Sequence, residues 1–226
     1  AFSYNCLRAV QTAFDDMVTP IIVGQEVDDI GIFLGGVQQQ LHLFGRYGIA
    51  MFALSGLDIA LWDIAAKIVN MPLWQLLGER KQDRLPAYAS LYRYGEPEIV
   101  AERCSQAIGE GYESIKLHET EDREVAAARE TVGEGFPIML DTNCPWTVAE
   151  AHKRAASLRQ FRLHWLEEPI FPPENFKALA ALQEKFDIPI AAGENACTSF
   201  EFEKMFEAGA VRYAQPSVTK VGGVTE

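Results

Sequence analysis

Ile138-Met139-Leu140-Asp141, Trp165-Leu166-Glu167 and Ala191-Ala192-Gly193-Glu194 are the three runs that decide how this chain folds. Each is apolar or small until it closes on an acid, and the acids stand 26 and 27 residues apart. The same texture continues on either side. Strand-like runs fall at Leu85–Leu91, Ser114–His118, Ile138–Asp141, Leu163–Glu167, Ile188–Gly193 and Val211–Gln215, spaced 22 to 29 residues apart. Helix-like segments fill the gaps: Glu96–Glu110, Asp122–Glu134, Thr147–Gln160, Pro173–Phe186 and Ser199–Ala208. Strand–helix alternation at this period predicts an α/β fold with a parallel sheet and crossover helices. An open doubly wound sheet and a closed barrel both fit that alternation. The acids favour the barrel, which opens all its strand C-termini on one face, where active sites form. Six strands are legible and a barrel needs about eight, so the natural chain is expected to be longer. Its first residues, Ala1-Phe2-Ser3-Tyr4, read as cut from the middle of a domain.

Upstream, residues 1 to 82 read as helices. Phe14, Met17 and Val18 sit at helical spacing, and Tyr47 to Val69 is a long run with few breakers. Leu54, Leu57, Leu61, Ile64 and Ile68 recur every three or four residues, which is one face of a helix. Pro72 and Gly78 punctuate the exit.

Three adjacent strands ending in Asp141, Glu167 and Glu194 would crowd carboxylates that repel and raise one another's pKa. A hard divalent cation resolves the conflict, and all-oxygen ligands favour Mg²⁺ or Mn²⁺ over Zn²⁺. Any one of these acids alone would serve equally as the N-cap of the next helix. Three in succession argue for metal. Lys116 and His118 lie two apart at the end of the second run, so they share a strand face. A cation and a titratable imidazole facing a metal site suggest carboxylate binding and proton transfer. Asn143, two after Asp141, is placed to bond substrate, or else to form a turn before Cys144-Pro145. Tyr92, Arg93 and Tyr94 follow the first strand as candidate pocket residues, Tyr92 for substrate. Glu168 faces away from Glu167 and is left to a supporting or salt-bridging role. Gly222-Gly223 lacks the spacing of a phosphate loop.

The net charge of −12 argues against nucleic acid and against an anionic membrane surface. Four scattered cysteines without a CxxC pair read as reduced thiols, so a cytoplasmic location is expected. No run of eighteen consecutive apolar residues appears, and the N-terminus lacks a signal-peptide pattern, so no membrane is expected.

These motifs resemble the mandelate racemase and muconate lactonizing branch of the enolase superfamily. The likeness runs through Ala53–Lys67 with Pro72–Gly78, Leu140-Asp141-Thr142-Asn143, Trp165-Leu166-Glu167-Glu168-Pro169, Gly193-Glu194-Asn195 and Lys220-Val221-Gly222-Gly223-Val224-Thr225. The resemblance implies a TIM-type (β/α)₇β barrel, partial here, behind a partial α+β N-terminal capping domain. Residues 1–82 would be the helical part of the cap, and residues 83–226 the first six βα units. It implies Mg²⁺ on Asp141, Glu167 and Glu194, a small-molecule carboxylate substrate that loses its α-proton, and a homo-oligomer. Two departures matter. Many racemase-like members carry Lys-x-Lys where this chain has Lys116-x-His118, so Lys116 would pair with the substrate carboxylate and His118 would be the base. Ser217 stands where racemase-type members carry an acid. That leans the expectation toward an acid-sugar dehydratase giving a 2-keto-3-deoxy acid. A racemase, epimerase or cycloisomerase is the alternative within the enzymes, and a non-catalytic scaffold relative the alternative outside them. Cap segments around His42–Gly48 would supply much of the specificity.

Overall fold

The computed structural model describes residues 6–226; the opening Ala1–Tyr4 lies outside the described residues. Two compact units form by packing. One comprises Ala1–Asp83, Ala196–Glu203 and Pro216–Glu226, the other Arg84–Asn195 and Lys204–Gln215. The sequence reading kept 83–226 together; by packing, two of its segments group with the helical unit.

The helical unit runs α1 (Leu7–Ala13), α2 (Thr19–Ile22), α3 (Ile30–Gln40), α4 (Gly48–Ile68) and α5 (Leu73–Leu77). Asp29 starts α3 by accepting the Ile32 amide at 2.8 Å. Val10, Val18, Leu34, Val37, Met51 and Leu54 form its core. The apolar face of α4 is buried over its first half and exposed at its far end. Ala50, Met51, Ala53, Leu54, Ser55, Leu57 and Asp58 are covered, whereas Ile64 and Ile68 are 51% and 78% exposed. Apolar spacing marks a face that can be buried: Leu54 and Leu57 are covered and Leu61 packs partly against the core, while Ile64 and Ile68 stay exposed.

At 21 residues, α4 is long and apolar enough to cross a bilayer. Its middle carries the polar bonding of a core helix. Ser55 donates to Met51 O and accepts the Gly222 amide at 3.0 Å. Asp58, fully buried, accepts the Val224 and Thr225 amides and the Thr225 hydroxyl. Gly223 has φ +99°, and a Cβ there would strike the Asp58 carboxylate, so this turn requires glycine.

The second unit contains a parallel sheet. Its strands are β1 (Ala89–Ser90), β2 (Ile115–Leu117), β3 (Ile138–Asp141), β4 (Trp165–Glu167), β5 (Ile190–Ala192) and β6 (Tyr213–Ala214), side by side in sequence order. Between them come α6 (Pro97–Gly109), α7 (Asp122–Val132), α8 (Val148–Leu158), α9 (Phe176–Phe186) and α10 (Thr198–Glu207). Ile115, Leu117, Ile138, Leu140, Leu166 and Ile190 are buried, as the strands of a helix-covered parallel sheet require. The ladders of β1 and β6 are shorter than the predicted runs Leu85–Leu91 and Val211–Gln215. Each of these strands has one neighbour in the sheet, and a propensity reading does not register a missing neighbour.

Register then places the chemistry. Leu117 pairs with Leu140, which pairs with Leu166. Asp141 pairs with Glu167, and Glu167 with Ala191. One residue beyond Leu117, His118 falls in the row of the two acids. Lys116 sits one row lower, beside Ser90 and Met139.

Candidate active site

Because side chains alternate along a strand, Lys116, Asp141 and Glu167 share the sheet face opposite Leu117, Leu140 and Leu166. The Lys116 ammonium lies 3.1 Å from Asp141 Oδ2 and 2.9 Å from Glu167 Oε1, and all three side chains are buried. Burial pulls the lysine down, but the hydrogen bonds and charges of Glu167 and Asp141 outweigh it and hold the group above its ordinary value. Lys116 is therefore a stable cation.

His118 Nε2 stands 3.3 Å from the same Asp141 Oδ2. Its Nδ1 bonds the Leu91 carbonyl, which only accepts, so Nδ1 carries a proton. With Nδ1 assigned, Nε2 is the nitrogen that titrates. The Asp141 hydrogen bond raises the imidazole pKa, and the Leu91 carbonyl adds to it, against the opposing effects of burial and Lys116. Asp141 answers in kind. Burial pushes it up, but His118 and Lys116 bring it below its ordinary value. Its other oxygen accepts the Asn143 amide at 3.0 Å.

Glu167 turns its second oxygen to the Trp165 indole at 2.8 Å. Glu194 follows Gly193 beyond β5. Burial pushes the Cys144 thiol up, and its hydrogen bond to Glu168 and the charges of Glu168, Glu194 and Asp141 push it further. Among the described residues no group of three His, Cys, Asp or Glu side chains is close enough to enclose a metal. The structure thus gathers Lys116, His118, Asp141 and Glu167 tightly, and Glu194, two residues beyond β5, does not complete such a group with them. The donor chemistry fits a hard cation: the candidates offer carboxylate oxygen only, and two of them already converge on one positively charged nitrogen.

A cleft of about 650 Å³ opens over this end of the strands and brings together Tyr92, Arg93, His118 and Asn143. Tyr92 is 81% exposed at its edge. Arg93 donates to His118 O at 2.6 Å and Thr142 O at 3.5 Å, tying the loop after β1 to the exits of β2 and β3. Glu119 fastens the same loop by accepting the Tyr94 and Gly95 amides. A larger cavity of about 980 Å³ lies at the opposite strand ends, between Tyr88, Ser114, Met139 and Trp165. None of the three acids lines it, so size does not identify the site here.

Asn143 reaches the cleft by a route the sequence reading did not foresee. It has φ +55°, so strand alternation does not carry past Asp141. Three further participants went unassigned: Trp165, Cys144 and Asn195. Each lies within three residues of an acid in the sequence, and that adjacency was the available signal. Direction was not legible, because Asn143, Cys144 and Glu168 all turn to positive φ beyond the ladder.

Comparison with known proteins now adds to this geometry. The family model described as "Enolase C-terminal domain-like" matches residues 99–226, and "Mandelate racemase / muconate lactonizing enzyme, N-terminal domain" matches residues 1–78. The chain belongs to the mandelate racemase/muconate lactonizing enzyme family of the enolase superfamily. Among curated members, it is 35% identical to a 3,6-anhydro-alpha-L-galactonate cycloisomerase of Streptomyces coelicolor, over 96% of this chain and 62% of that protein. It is 30% identical to an arabinonate dehydratase of Saccharolobus solfataricus, over the whole chain and 62% of that protein. A crystal structure of an enolase from Bradyrhizobium, complexed with magnesium and mandelic acid, superposes with TM-score 0.88 at 29% identity. That match covers all of this chain and 63% of the other. The chain therefore spans a little under two thirds of its relatives. The parallel α/β sheet is that of the superfamily's TIM-type barrels, seen here over six strands.

Proposed function

We propose that the protein carrying this chain removes the α-proton of a small carboxylate with the help of Mg²⁺, and that its reaction is dehydration of an acid sugar to a 2-keto-3-deoxy acid. One observation carries the reading: Lys116 and His118, on one strand edge, both face the paired acids Asp141 and Glu167. An α-proton beside a carboxylate is very weakly acidic. Mg²⁺, held by Asp141, Glu167 and Glu194, would supply positive charge where negative charge builds on the substrate carboxylate.

The remaining work falls to side chains. Lys116, kept protonated by its acidic neighbours, is suited to pair with the substrate carboxylate rather than to take a proton. His118 is suited to be the base, because its Nδ1 is committed to Leu91 O and its Nε2 points at the acids. As the α-proton moves to Nε2, the C–H electron pair forms a carbon–carbon double bond. The β carbon–oxygen bond breaks, and the hydroxyl leaves as water with the proton that His118 took up. The resulting enol becomes the 2-keto acid. Asn143 and Tyr92, at the cleft, are the proposed contacts for the sugar hydroxyls.

The arabinonate dehydratase likeness supports dehydration, and Ser217, in place of a racemase acid, fits one-base chemistry. The 35% identity to a cycloisomerase favours one second reading. In a 3,6-anhydro acid the β-oxygen belongs to the ring, so the same proton removal followed by loss of that oxygen opens the ring. The deciding experiment incubates the intact protein with Mg²⁺ in D₂O against pooled acid sugars and anhydro acids, and follows the α-proton by NMR. Loss of the α signal with new 3-deoxy methylene signals is the expected result. Turnover of anhydro acids alone selects the second reading. Bound Mg²⁺ with no change at any α-proton sinks both.

A further inference from the structure

Glu168 has no part in the chemistry above, yet it is as buried as the acid before it, each being 3% exposed. Its described side-chain partners are neutral. Oε2 accepts the Cys144 thiol at 3.1 Å and the Asn195 side-chain amide at 2.5 Å. Its backbone carbonyl accepts the Cys144 amide at 2.6 Å and the Thr142 hydroxyl at 3.1 Å. In sequence, each joined residue follows a proposed ligand within three residues. Cys144 comes three after Asp141, Glu168 one after Glu167, and Asn195 one after Glu194. A single carboxylate oxygen therefore connects three consecutive strand exits just beyond their acids.

Those exits need such a connection. Asn143, Cys144 and Glu168 have φ of 55°, 54° and 45°, so the ladder no longer dictates where their neighbours point. A neutral acceptor would satisfy two neutral donors at less desolvation cost than a buried carboxylate does. Hydrogen bonds to a charge are, however, shorter and more directional, which suits a group that must fix geometry.

We propose that Glu168 is a positioning residue: through Cys144 and Asn195 it locks the exits of β3, β4 and β5, so that Asp141, Glu167 and Glu194 offer their oxygens to one divalent cation. This rests on the reading that those three acids hold the metal. The test titrates Mn²⁺ into the intact protein by calorimetry and electron paramagnetic resonance, with metal-free thermal unfolding in parallel. Wild type is compared with Glu168→Gln, Glu168→Ala, Asn195→Ala and the Glu168→Ala/Asn195→Ala double variant. Glu168→Ala is expected to weaken Mn²⁺ binding about 10- to 100-fold and to alter the bound-metal spectrum. Glu168→Gln, whose one amide oxygen can stand in the place of Oε2 and accept both donors but carries no charge, falls between. The double variant binds no worse than Glu168→Ala, because both changes break one bond. Unchanged Mn²⁺ affinity in Glu168→Ala overturns the proposal, as does a lowered unfolding temperature in Glu168→Gln with unchanged affinity. Should Glu168→Ala fail to fold, Glu168→Gln and Asn195→Ala decide by the same criterion. Wild type that binds no Mn²⁺ overturns the metal reading and this proposal together. Wild type that binds, with affinity indifferent to Glu168, overturns this proposal alone.

Discussion

Lys116 and His118 are two residues apart and make opposite use of one aspartate. The lysine sits between two buried acids, so its charge is needed for the acids to be there at all. Removing it as Lys116→Met leaves two carboxylates buried without a counter-charge. In the metal-free protein that should cost about 3–5 kcal/mol, read as a lower denaturant midpoint. Added Mg²⁺ should recover part of the loss if the acids are metal ligands. His118 is half-buried, and its removal empties less. His118→Asn should leave the unfolding midpoint close to wild type while slowing α-proton exchange by about 100-fold or more. A variant that exchanges as fast as wild type would move the base elsewhere, with Lys116 the next candidate. That both residues share a strand face was legible from their spacing, and their roles rest on the acids of the following strands. That Lys116 bridges Asp141 and Glu167 was not legible, because strand register is a tertiary property and no local pattern reports it.

At the scale of elements, α8 shows how far local chemistry fixes an end. Thr147 accepts the Glu150 amide while Glu150 reaches back to the Thr147 amide and hydroxyl, a complete capping box. Thr147→Ala should destabilise the protein by about 1 kcal/mol, measured by chemical denaturation. The Glu150 carboxyl is held below its ordinary value of 4.5, first by the Thr147 amide and then by its hydroxyl. A lowered folded-state value means the stabilisation is present above about pH 4.5 and is lost as pH falls through the folded value. Glu150→Ala should therefore flatten the acid limb of stability against pH, and an unchanged limb would show the box adds nothing in solution. Elements with such local signals were read well: all five crossover helices lie within two to three residues of their predicted ends. Elements that depend on neighbours were not. β1 and β6 were overdrawn, and the helical face from Leu54 to Ile68 does not by itself tell that Ile64 and Ile68 stay exposed, because spacing encodes capacity for burial and a partner decides whether it is used.

For the molecule as a whole, the −12 charge and the proposed metal make competing demands that one experiment separates. An acidic chain repels itself, and any salt relieves part of that repulsion, so a rise in unfolding temperature on adding MgCl₂ does not by itself show a site. Specific binding differs in form. A ligand that binds only the folded state stabilises it by an amount that grows with the logarithm of its concentration, about 2.7 kcal/mol at a hundredfold excess over Kd. Asp141, Glu167 and Glu194 are 26 and 27 residues apart in sequence and come to the ends of neighbouring strands only when β3, β4 and β5 have paired, so the unfolded chain offers no comparable site. Unfolding temperature should rise steadily with Mg²⁺ in the intact protein and much less in NaCl matched for ionic strength. Asp141→Asn keeps the shape of the site but removes one ligand charge, and its response to Mg²⁺ should fall to the NaCl level. If Mg²⁺ and matched NaCl act alike on wild type, Asp141 and Glu167 serve as ion-pair partners rather than as metal ligands, and the proton-abstraction reading loses the charge it depends on.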